Sequence, residues 1–152
     1  MRHLRKVLAT TVALGAVVVG ASACTPDTTR GRVENDVPAT FAHAYALSEQ
    51  LQGHRPVTPD VTSTECHSSV NTKQDSQPGS WGCDLSYTVD GKKKDVSLLV
   101  LIDQLGCYQA SNTDNRNAMI TDASTGAQLP DPKVGFDGCF DVYDNRTNTS
   151  NR

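Results

Sequence analysis

The stretch SWGCDLSYTVDGKKKDVSLLVLI, Ser80 to Ile102, decides the fold. Trp81, Cys83, Leu85, Tyr87 and Val89 occupy alternate positions before Asp90-Gly91, and Val96, Leu98, Val100 and Ile102 do so after it. Successive side chains of a strand point to opposite faces, and Asp-Gly is a favoured pair for a two-residue hairpin turn, so the stretch reads as a β-hairpin with one apolar face. The turn also sets the register: Leu85 lies opposite Val96, Cys83 opposite Leu98 and Trp81 opposite Val100. A slip of one residue would set Leu85 against Ser97 and break every apolar pair. Tyr87 meets Lys94 near the turn, where a lysine stem can cover a ring while its ammonium stays wet. The run Lys92 to Lys94 is therefore read as solubilising rather than as a ligand patch.

Upstream, DVTSTECHSS has the β-branched content of a strand, and VNTKQDSQPGS is a loop between Cys66 and Trp81. Downstream, GCYQAS and GCFDVY are short strands, and AMITDASTGAQL is a second hairpin with Gly126 in its turn. Before the strands, DVPATFAHAYALSEQLQG offers Asp36 as N-cap, Pro38 in the first turn and Gly53 as terminator. Phe41, Ala44, Tyr45, Ser48 and Leu51 share a helical face with Leu47 beside it, while His43 and His54 fall outside that face as solvated histidines. The expected fold is α+β: one N-terminal amphipathic helix on a small antiparallel sheet with two disulfides, spanning residues 37–144.

Four cysteines, Cys66, Cys83, Cys107 and Cys139, lie in this domain and permit three pairings. Loop closure favours Cys66 with Cys83, which leaves Cys107 with Cys139, although sequence alone does not exclude the other two. Zinc is disfavoured, because no C-x-x-C pair preorganises tetrahedral ligands and His67, adjacent to Cys66, points to the opposite face of a strand. Val61 to Ile102 resembles the small cysteine-paired domains of unknown function found in actinobacterial envelope lipoproteins, with a V-T-S-x-x-C strand, a polar loop and a second cysteine leading into a hairpin. His67 stands where those domains often carry proline, and Cys107 and Cys139 lie outside the shared pattern. The resemblance implies a disulfide-bonded envelope module and no activity.

The N-terminus supports export. Arg2, Arg5 and Lys6 precede an apolar run of 13 residues, Val7 to Val19, in the order of a secretory signal. At 1.5 Å per helical residue that run falls well short of the roughly 20 residues that cross a bilayer. The following ASAC, Ala21 to Cys24, resembles the lipobox of bacterial lipoproteins, whose cysteine is joined to diacylglycerol and becomes the new N-terminus. Alanine stands at position 21 where that family prefers leucine, which leaves ordinary cleavage and release as the alternative. Cysteine parity favours lipidation, since five cysteines cannot all pair and removing Cys24 leaves four. Residues 1–23 are thus expected to be a signal peptide, residues 24–36 a lipidated cysteine and flexible tether, and residues 145–152 a disordered polar tail.

Loss of residues 1–23 removes three of the 14 Lys and Arg and none of the 17 Asp and Glu, leaving a formal charge of about −6. Such a surface disfavours nucleic acid, whose binding requires phosphate neutralisation. Asp131, Asp137, Asp141 and Asp144 do not follow the spacing of an EF-hand loop, and no metal or other cofactor is expected. No hydrolase, phosphate-loop or dinucleotide motif occurs, so no catalytic residue is assigned. The sequence therefore points to a lipoprotein on the outer face of the cytoplasmic membrane, displaying a binding module toward an envelope protein or a cell-wall ligand. A secreted inhibitor or effector is the alternative; a small cell-wall hydrolase using His67 or an aspartate such as Asp141 ranks below it.

Overall fold

A computed structural model describes residues 28–69 and 78–141 of the chain. Among the described residues one helix, α1 (Arg30–Leu51), precedes seven strands: β1 (Asp60–Ser68), β2 (Gly79–Val89), β3 (Lys92–Ile102), β4 (Cys107–Asn112), β5 (Met119–Thr121), β6 (Gln128–Pro130) and β7 (Gly135–Cys139). Five of them form an antiparallel sheet in the order β1-β2-β3-β4-β7, and β5-β6 form a separate two-stranded ribbon inserted before the last strand. The protein is thus α+β, one helix packed on an antiparallel sheet.

The central hairpin has the register that its turn dictates, with Leu85 opposite Val96, Cys83 opposite Leu98 and Trp81 opposite Val100. Asp90 (φ 51°) and Gly91 (φ 73°) both adopt left-handed backbone, the requirement of a type I′ turn that matches strand twist. Trp81, Cys83, Leu85, Leu98 and Val100 are all at most 1% exposed and form the sheet side of the core. Tyr87 is paired with Lys94, which is exposed, and on the core side its ring centroid lies 5.1 Å from that of Phe41 and 5.9 Å from that of Tyr45.

The helix starts earlier than its sequence signals imply. Thr29 is the N-cap, its hydroxyl accepting the N–H of Arg32 at 3.4 Å, so residues 30–36 are helix and not tether, and Pro38 sits inside the helix. Val33, Val37, Phe41 and Tyr45 recur every four residues, and Val33 and Val37 are 0% exposed. Full burial of a valine or phenylalanine is worth roughly 1.5–3 kcal/mol, so these side chains together outweigh the cost of about 3 kcal/mol for an interior proline. Arg30, Gly31 and Arg32 mask this stripe because a first turn lacking apolar residues looks like loop. At the other end Leu47 is 41% exposed and lies off the buried stripe. Gly53 (φ 77°) closes the helix: its N–H reaches the Gln50 carbonyl and that of His54 reaches Glu49, the paired bonds of a Schellman motif.

Strand β7 is Gly135–Cys139, which places it earlier than the GCFDVY segment. Cys139 opposite Cys107 and Phe136 opposite Ala110 set this register, and Phe140 is buried just beyond the strand with its N–H on the Gly106 carbonyl. The β5–β6 hairpin turns at Gly126 (φ 72°) as its sequence indicates. Tyr108 crosses from β4 to the helix over Gly138, where an added Cβ would come within 2.6 Å of the phenol oxygen. That oxygen lies 2.7 Å from the Thr40 hydroxyl and donates to the Asp36 carbonyl at 3.3 Å.

Burial raises the pKa of Tyr108, and the charges of Asp36 and Asp137 raise it further against the opposing Thr40 hydrogen bond. Tyr87 and Tyr45 are raised chiefly by burial as well. A folded-state pKa above the unfolded value of about 10 means that the unfolded chain loses these protons first. Their stabilising contribution is therefore complete below about pH 10 and is lost as the pH rises through the folded values. Urea unfolding midpoints are expected to fall steadily as the pH is raised above about 10, and Tyr108→Phe should flatten that fall.

Candidate interaction surface

The two sheet faces differ in chemistry, and the two disulfides lie on opposite faces. Cys66 and Cys83 are directly paired across β1 and β2 with Cα atoms 4.1 Å apart, and both point into the core at 0% and 1% exposure. Cys107 and Cys139 are paired across β4 and β7 with Cα atoms 3.9 Å apart. Because Tyr108 and Ala110 face the core, Cys107 and its partner project onto the uncovered face. The pairing favoured by loop closure is thus the one formed, and each bridge joins an edge strand of the sheet to its neighbour.

On the β1–β2–β3 part of the uncovered face serines and aspartates pair with each other. The hydroxyl of Ser97 donates to Asp84 at 2.5 Å and that of Ser86 donates to Asp95 at 2.6 Å, both across the central hairpin. The β3–β4–β7 part is different: Leu101 is 49% exposed, and in the following turn Leu105 is 70% exposed. A shallow depression of about 410 Å³ lies there, lined by Leu101, Asp103, Cys107, Gln109, Asp137 and Cys139 among others. A second of about 300 Å³ shares Leu101, Gln109 and Asp137 with it. Asp103 is occupied within its own turn, its Oδ1 accepting the N–H groups of Leu105 and Cys107 at 2.8 and 2.9 Å. An apolar strip beside a disulfide and carboxylates is suited to contact with another surface; it holds no nucleophile paired with a base.

Among the described residues, titratable groups gather at the C-terminal half of α1. The Ser48 hydroxyl donates to Asp131 at 2.6 Å, and Lys133 Nζ lies 3.5 Å from Asp131, 3.8 Å from Glu49 and 5.5 Å from the centroid of the Tyr45 ring. His54 Nδ1 is 2.9 Å from Glu49 on the outer side. Ser48 is 0% and Asp131 4% exposed, so no substrate reaches this hydroxyl. The cluster fastens the segment before β7 to the helix. Asp131→Ala would leave the Ser48 hydroxyl buried without its acceptor, and it is expected to cost about 2–3 kcal/mol in denaturant unfolding, with secondary structure retained.

The aspartates considered for calcium do not converge: Asp131 is buried beneath the helix, whereas Asp137 and Asp141 are exposed. Among the described residues no three of His, Cys, Asp and Glu gather as a metal site. His67 is exposed on β1, opposite Gly82 and on the face away from Cys66. Asp144, Cys24, the apolar run and the polar tail lie outside the described residues. Two features escaped the sequence pattern. One is Glu34, whose Oε1 accepts the N–H of Cys66 at 3.1 Å and that of Arg30 Nε at 2.7 Å, so that a helix side chain caps the open edge of β1. The other is the exposed apolar strip, for which a signal existed: LLVLI, Leu98 to Ile102, is apolar at both parities, so both faces of β3 are apolar at that end.

Comparison with known protein families, curated proteins and solved structures finds no match to this chain.

Proposed function

We propose that the protein is an envelope lipoprotein, joined through Cys24 to lipid on the outer face of the cytoplasmic membrane, that displays a small non-catalytic binding module. The observation that carries this proposal is the cysteine count after folding. Cys66, Cys83, Cys107 and Cys139 are consumed in two disulfides, so no cysteine of the chain remains for Cys24, which follows Ala21-Ser22-Ala23. Two acyl chains at about 0.8 kcal/mol per buried methylene would make such an anchor effectively permanent. The uncovered sheet face around Leu101 is the surface offered to an envelope protein or to a cell-wall ligand close to the membrane.

Alanine at position 21 supports a second outcome, ordinary cleavage and release of an inhibitor or effector. Intact mass spectrometry of the protein from bacterial membranes and from the medium separates the two. A membrane-bound chain beginning at a diacylated Cys24, with a reduction shift equal to two disulfides, is the expected result. An unmodified chain in the medium would overturn anchoring.

A further inference from the structure

Resting on that anchor, we propose that the bilayer itself is a partner of the domain, contacted by the β3–β4 turn that carries Leu105. Thr28 is already 2% exposed and Thr29 caps the helix, so the chain is fixed to the domain from residue 28 onward. Only four residue steps separate Cys24 from Thr28. At about 3.6 Å per extended residue they span at most roughly 14 Å. The domain is held against the membrane and cannot reach far into the envelope.

The end of the domain that faces the lipid follows from how the helix runs. Glu34 contacts Cys66, which pairs with Cys83, whereas Phe41 and Tyr45 lie against Tyr87 farther along β2. The helix thus advances in the direction of β2, and Thr28 lies toward the end where β2 begins and β3 finishes. That end carries the Asp103–Gly106 turn, with Leu105 the most exposed large apolar side chain among the described residues. Arg30 and Arg32, in the first helical turn, belong to the same end. Lys92, Lys93 and Lys94 are at the opposite tip, one full strand of 11 residues away, or roughly 35 Å at about 3.3 Å per residue. A tether of this reach does not allow contact through the lysine tip alone.

One exposed leucine binds lipid weakly by itself, but a tethered group samples the surface at millimolar effective concentration, so a weak contact is populated. Interfacial apolar groups sit about 5–10 Å into the boundary between headgroups and acyl chains. Asp103 is turned inward onto its own backbone N–H groups, which leaves Leu105 as the tip of the turn.

The test uses the full lipidated protein, first verified by mass as diacylated at Cys24, reconstituted into vesicles of phosphatidylcholine and phosphatidylglycerol with brominated acyl chains. Trp81 is buried at 0% exposure, so an added tryptophan reports its own surroundings. Leu105→Trp and Lys93→Trp place that probe at the two ends, both on exposed positions that tolerate substitution. Quenching by brominated lipid is expected to be at least about twofold stronger for Leu105→Trp than for Lys93→Trp, as the depth of an interfacial side chain requires. Equal quenching, as for a domain lying flat, would overturn the proposal. So would no quenching of either, including the case in which Leu105→Trp is shielded only in native membranes by a protein partner. A chain found without lipid in the mass measurement fails the anchor alone, before any vesicle is made.

Discussion

Trp81→Ala is expected to remove about 3–5 kcal/mol of stability, the range for deleting a fully buried large aromatic side chain. Trp81 is 0% exposed, opposite Val100 on β3 and Ser68 on β1, and shares the core with Val33, Val37 and Phe41. A domain of this size has about 5–15 kcal/mol in total, so the variant should be largely unfolded in moderate urea. The chain contains one tryptophan, and its fluorescence vanishes with the substitution. Circular dichroism is therefore the measurement, with wild type and variant unfolded in parallel. A midpoint shift worth less than about 1 kcal/mol would mean that the site collapses around the gap and that the hairpin is not the centre of the core.

The parts of this fold that were legible in the sequence are those governed by short-range rules. Alternation plus Asp90-Gly91 dictates a register, and the register in turn sets Cys83 on the core face before any tertiary contact is known. Gly53 ends the helix because left-handed backbone satisfies the last carbonyls, a requirement local to a few residues. What was not legible depends on a partner distant in sequence. Val33 and Val37 lie ahead of the helix that the sequence signals; they become core because the helix packs on the sheet and joins one cluster with Trp81, Cys83 and Leu98. Glu34 caps Cys66 across 32 positions, and Ser48 finds Asp131 across 83. The same holds for the candidate surface. The apolar excess of LLVLI was visible, but its place relative to the start of the helix requires the direction of the helix across the sheet.

A chain beginning at Val37 is expected to be about 4 kcal/mol less stable than one beginning at Thr28, with both lacking the signal and Cys24. The shorter chain loses Val33, 0% exposed, whose burial is worth roughly 1.5–2 kcal/mol. It also loses the Glu34 carboxylate on the N–H of Cys66, a charge-assisted bond worth about 1.5–3 kcal/mol, and the Thr29 cap, worth about 1 kcal/mol. Relief of Pro38, which moves from the interior to the first turn, offsets part of that sum. Urea unfolding of the two chains measures the difference. Equal midpoints would make residues 28–36 a passive linker, and the membrane spacing that the proposed anchor at Cys24 implies would change with them. The twelve residue steps from Cys24 to Asp36 reach roughly 43 Å when extended, against roughly 14 Å for the four steps from Cys24 to Thr28. The early start of the helix therefore decides how much of the core the N-terminal turns supply and, under the proposed anchoring at Cys24, how closely the domain would be held to the lipid.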